Sequence, residues 1–284
     1  MFSRRANAYE SALSLPVPGS VVALSKPYAP MTLKGVEVDP QNPFVFKFFV
    51  DLGSTQLPAD QIKEESAKLI RYFLASLTVP KEDMWVNLSP TQKNRIIPES
   101  FGQTEMGRDL LGQDYILKQL AASLMNPEKE IGKNFWDRVY QNVYAQGESF
   151  EAPTDMANKI WIVPQKALVY AQGNSAYVAD RSLDVMLKEE TVNKNEMQSP
   201  TTNTSLIAEI LLPEIKKEIN LGENFILLRQ IYDAMILAEW FKRVLKESIW
   251  QAPAKTKSFG EVSPNEYSFF GGYVNKNKID GIDL

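Results

Sequence analysis

A chain of 284 residues without a single cysteine or histidine can be held together only by its own buried surface. Disulfides and Cys/His zinc sites are both closed to it. The length is sufficient for a core alone. Surface scaling leaves about 12,000 Å² exposed out of roughly 46,000 Å² in the extended chain, so about three quarters can be buried. One large domain or two modest ones fit that length.

The same two absences restrict chemistry. Ser-His-Asp and Cys-His catalysis are excluded, and with them the commonest general base. No side chain has an unperturbed pKa between about pH 5 and 8, so stability is expected to run nearly flat from about pH 6 to 8. The charge balance is mildly acidic, 31 Lys plus Arg against 35 Asp plus Glu. That argues against nucleic acid as a partner, since such proteins carry a basic domain or stripe.

The N-terminus, MFSRRANAYESALSLPVPGSVVAL, has two arginines but no uninterrupted apolar stretch, because Pro16, Pro18 and Gly19 divide it. It does not read as a signal peptide. No apolar run approaches the roughly 18 residues of a membrane span. The expectation is a cytoplasmic protein with no membrane span.

Hydrophobic periodicity changes along the chain. Residues 1–30 read as irregular, with a short strand candidate at Val21 to Leu24. Met31 to Val38 and Phe44 to Leu52 read as a β-hairpin, joined by the turn formers Asp39-Pro40-Gln41-Asn42-Pro43. From Pro58 to Leu77 the apolar positions Ile62, Leu69, Ile70, Phe73, Leu74 and Leu77 fall at helical spacing, and Pro80 stops the helix. Further helices are expected from Thr104 to Met125 and from Pro127 to Tyr144. Residues 158–182 revert to strand patterning, KIWIV, ALVY and SAYV, separated by Pro164-Gln165 and Gln172-Gly173-Asn174, which predicts a three-stranded antiparallel meander. Residues 188–204 are polar and aperiodic, as a linker would be. Helices follow at Ser205 to Asn220, where Pro213 is expected to kink or break the helix, and at Glu223 to Glu247. The latter is apolar on several sides and should lie at the centre of the core.

Few residues carry candidate chemistry. Glu105 and Asp109 lie one helical turn apart, close enough to share a divalent ion, and Asp114 sits within the apolar face of the same helix. Buried carboxylates are costly unless paired, and perturbed ones mark functional sites as well as structural ion pairs. The plainer reading places Glu105 and Asp109 for the helix dipole and Asp114 in an ion pair. Trp85 and Asn87 lie in a loop of the kind ligands use, unless the Trp closes the core. Trp161 and Tyr177 are candidate partner contacts on the meander, whose edge is open to strand addition; the alternative packs them on helices. Lys242, Arg243 and Lys246 form a basic helix end that the dipole alone explains. Nothing matches GxxxxGK[ST], GxGxxG or GxSxG, so no cofactor or metal site is assigned.

The segments RYFLASLTVP (71–80), WVNLSP (85–90), TEMGRDLLGQDYILKQLAASLMNPE (104–128), KIWIVPQKALVY (159–170) and LRQIYDAMILAEWFK (228–242) together resemble a family of uncharacterised bacterial proteins. The resemblance spans most of residues 31–247. It implies a bacterial origin and a coherent fold, and carries no activity.

The fold class expected is α+β, an N-terminal β-hairpin and a central antiparallel meander packed on about five helices. Residues 1–30 form an irregular segment, 31–250 a single domain with its linker near 188–204, and 251–284 a partly ordered tail. The function expected is that of a non-catalytic interaction or assembly protein, with a protein partner or a second copy. The alternative is a carboxylate-dependent enzyme, with or without a divalent metal, using Glu105, Asp109 or Asp114.

Overall fold

The computed structural model describes residues 15–79, 99–146, 160–187, 202–250 and 262–268. Two hairpins supply most of one antiparallel sheet. The first joins β1 (Thr32–Val38) to β2 (Phe46–Asp51), and the second joins β3 (Ile160–Gln172) to β4 (Ser175–Leu187). With β5 (Val262–Ser268) they form a five-stranded sheet in the order β2-β1-β4-β3-β5.

Long helices flank it: α1 (Ala59–Thr78), α3 (Glu105–Met125), α4 (Glu130–Gln146), α5 (Thr202–Leu221) and α6 (Ile226–Trp250). A four-residue turn, α2 (Glu99–Gly102), precedes α3, and a 3₁₀ turn (Glu223–Phe225) precedes α6. This is the expected α+β class. No described helix is long and apolar enough to cross a membrane.

Helix α6 is central, touching α1, α3, α5, β1 and β4. Its residues 228–238 are buried on every side, as an all-round apolar helix requires. Alternate residues of β2 point at it. Phe46 meets Phe241 of α6 at a ring-centroid distance of 5.0 Å and Phe73 of α1 at 5.4 Å, while Phe48 meets Phe73 at 5.2 Å, all edge to face. Such pairs add about 0.5–1.5 kcal/mol each beyond area burial. Helix α3 starts where Thr104 Oγ1 accepts from the Gly107 amide at 3.0 Å. Helix α4 is fixed to its end by Trp136 Nε1, which donates to Met125 O at 2.9 Å.

Four expectations need correction. Val21 to Leu24 is not a strand; it runs as irregular chain. Pro164-Gln165 is not a turn. The chain continues straight through as β3, and the register shifts between Pro164 and Lys166; a bulge accommodates a proline within a strand. Pro213 does not interrupt α5. Both Pro213 and Glu209, the residue whose carbonyl loses its partner, are exposed, so water can satisfy that oxygen. Part of the β3 edge is not open to strand addition, because β5 pairs with it from Lys166↔Ser268 to Ala171↔Val262.

Candidate functional site

Strand β1 pairs with β4 over only three positions, Gly35↔Tyr177, Val36↔Ala176 and Glu37↔Ser175. Both strands then change register against their outer neighbours, between Leu33 and Gly35 on β1 and beside Asp180 on β4. Bulges bend strands and are frequent beside sites. Past the end of the ladder, Thr32 and Lys34 of β1 and Arg181 of β4 line a cavity of about 390 Å³. Further along β4, Asn220 of α5 takes the place of a strand, accepting from Leu183 N at 3.0 Å and donating to Leu183 O at 2.9 Å.

Irregular chain forms the outer wall. Pro27 bridges to Gly222, and Tyr28 N donates to Leu221 O at 2.8 Å. Buried Glu218 of α5 accepts from Ser25 N at 3.0 Å, from the Ser25 hydroxyl, and from Asn224 Nδ2 at 2.8 Å. Gly53 closes the other side at φ +56, and a Cβ there would lie 2.4 Å from Ala29 O. Only glycine fits a left-handed position pressed so close to backbone.

Arg229 and Asp233, one turn apart on α6, underlie the cavity. Arg229 is 2% exposed and donates to Gly222 O at 2.7 Å, Ile219 O at 3.3 Å and Tyr28 O at 3.1 Å. It thereby caps α5 and holds the wall segment. Burial lowers its pKa to about 10, which leaves it a cation at neutral pH. Asp233 is fully buried, with Oδ1 2.9 Å from Arg181 Nε. Burial pushes its carboxyl above the usual range, against the opposing charges of Arg181, Lys34 and Arg229.

The anticipated carboxylates are elsewhere and engaged. Glu105 forms a two-point pair with Arg71 of α1, at 2.6 and 3.1 Å, which holds its pKa below the usual range. Asp109 accepts from the buried Tyr72 hydroxyl, and burial raises its pKa. Asp114 pairs with Lys118 at 2.9 Å, whose ammonium also donates to Ile160 O; burial raises Asp114 too. Among the described residues no group of three or more acidic side chains could hold a metal ion. Trp85 and Asn87 lie outside the described residues. Trp161 is 4% exposed, whereas Tyr177 is 46% exposed on the sheet face turned away from the helices.

That open face carries an aromatic row. Phe49, Gly35, Tyr177 and Tyr170 stand opposite one another on β2, β1, β4 and β3. A Cβ on Gly35 would come within 2.9 Å of the Tyr177 ring and 3.3 Å of the Phe49 ring, so both rings lean over the glycine. Phe49 and Tyr170 are also exposed.

Sequence reasoning passed over Lys34, Arg181, Arg229 and Asp233. A signal for two of them existed: charged residues inside a helix otherwise apolar on every side must be buried and paired. Comparison with known proteins finds no matching family model, no match among curated proteins and none among solved structures.

Proposed function

We propose that the protein acts by assembly rather than by turnover, with β2 as the edge on which a second copy docks. What carries this reading is the strand itself. β2 ends the sheet, with β1 as its one strand neighbour among the described residues, and exposed Phe49 lies near its middle. Phe44 and Val45, just before it, are 75% and 50% exposed.

The strand is self-complementary in antiparallel register. With a twofold axis through Phe49, Lys47 of each copy stands opposite Asp51 of the other, on the face that carries Phe49. Phe48 then stands opposite Val50 on the core face. Opposite charges and aromatic pairs across strands each contribute about 0.2–1 kcal/mol, and the twofold axis makes each off-axis pair twice. Two sheets would join with their aromatic rows in line. The acidic overall balance also supports a protein partner over nucleic acid.

Light scattering on the full chain across a concentration series tests this reading. The expected result is a dimer that Phe49→Lys converts to monomer, by setting two ammonium groups against each other. A wild-type chain that stays monomeric throughout, or an oligomer that Phe49→Lys leaves intact, overturns it.

A further inference from the structure

We propose that the cavity between β1 and β4 binds a small oxyanion, a carboxylate or phosphate carried on a metabolite-sized body. Lys34, Arg181 and Arg229 line it against a single acid, Asp51. Asp233 and Glu218 lie behind that wall, each already engaged, Asp233 by Arg181 and Glu218 by Ser25 and Asn224.

The donors divide by role. Arg229 spends its hydrogen bonds on three backbone carbonyls and contributes charge. Arg181 sets Nε 2.9 Å from Asp233 Oδ1, an ion pair that holds one side of the guanidinium against the buried carboxylate. Its two terminal nitrogens have no partner among the described residues. Lys34 is half-buried, and its ammonium likewise has no hydrogen bond or ion pair among them. A cation partly withdrawn from water without a hydrogen-bond acceptor is costly. An incoming oxyanion would supply the missing acceptors, and a guanidinium held by one side presents its remaining N–H groups in the fork that matches such groups.

Size and wall chemistry narrow the ligand. A volume of 390 Å³ exceeds what a bare phosphate needs and falls within the range of small-molecule sites, about 300–1,000 Å³. Tyr28 and Pro30 give the remainder an apolar surface, which suits a ring or short hydrocarbon body.

Calorimetric titration of the full chain with inorganic phosphate, and separately with malonate, tests the proposal at an ionic strength held constant with sodium chloride. The expected result is saturable binding of one probe per chain. Lys34→Gln should weaken it by about tenfold or more, the loss of one charge-assisted bond. Lys34→Arg should retain it, and Lys217→Gln, on the exposed side of α5, should leave it unchanged. Preference for phosphate assigns a phosphorylated ligand, and preference for malonate a carboxylic acid. Binding of neither probe overturns the site, as does equal weakening by Lys34→Gln and Lys217→Gln. The titration is run at protein concentrations where the chain is monomeric, so its failure leaves the β2 edge untouched.

Discussion

Arg181 Nε lies 2.9 Å from Asp233 Oδ1, and the aspartate has no exposed surface. A carboxylate so placed depends on its partner, because the interior offers no water to replace the guanidinium. Arg181→Met should therefore destabilise the protein by about 3–5 kcal/mol. The double variant Arg181→Met with Asp233→Leu should recover most of that loss, since it removes both charges and fills the space. Urea unfolding of the two variants measures the difference. A single variant costing under about 1 kcal/mol would show that Lys34 and Arg229 suffice as counter-charges for Asp233.

Asp109 offers a pH dependence whose sign is fixed. Burial raises its folded pKa above the unfolded value, so the protonated group favours the folded state. That contribution is full below the unfolded value of about 3.9 and is lost as pH rises through the folded value. Asp109→Asn does not titrate, yet it keeps an oxygen to accept from Tyr72. Relative to Asp109→Asn, the wild type should therefore lose stability as pH rises from about 4. Glu105 works in the opposite sense, its lowered pKa stabilising the fold above the unfolded value and ceasing to do so in acid. Unfolding curves at successive pH values decide it, and a pH-independent difference would reject the assignment.

Glu218 fastens the wall of the cavity to α5. Glu218→Ala would leave the Ser25 amide without its acceptor and Asn224 Nδ2 with only Ala23 O, at about 1–3 kcal/mol. Amide exchange at Ser25 and Tyr28 should accelerate more than exchange in α6. Glu218→Gln keeps an acceptor oxygen and should lose less. Uniform acceleration across the molecule would mean that Glu218 serves the whole fold and not this segment.

Local signals made most elements legible. The β-prone run from Phe44 to Leu52, the Pro58 start of α1 and the turn at Gln172-Gly173-Asn174 all act within a few residues. What failed were choices made elsewhere in the fold. Pro164 and Pro213 read as breaks because local chemistry disfavours them, whereas a bulge and an exposed helix face absorbed them. β5 lies in a tail that carries no alternating apolar pattern, and its partner β3 is some 100 residues away in sequence. The cavity is harder still to foresee. It exists because β1 and β4 part after Tyr177, so Lys34, Arg181 and Asp233 meet only through tertiary contact. Glu105 and Asp109 did lie together on one helix as their spacing required; the side chains that occupy them, Arg71 and Tyr72, come from α1.

Gly35 sets the spacing of the aromatic row, and this can be separated from its backbone role. An alanine Cβ there would stand 2.9 Å from both Ala176 O and the Tyr177 ring, and 3.3 Å from the Phe49 ring. The carbonyl is fixed in the sheet, but the ring can turn away. Gly35→Ala should thus cost about 1–3 kcal/mol, as overpacking does. Tyr177→Ala removes only the ring contact, so it should relieve part of that cost in the double variant. A double-mutant cycle by urea unfolding gives the coupling, expected at about 0.5 kcal/mol or more for residues in contact. Zero coupling would place the whole penalty on Ala176 O and leave the Tyr177 ring independent of the glycine beneath it. A measured coupling would instead mean that the exposed Tyr177 ring owes its place to the absence of a side chain at Gly35.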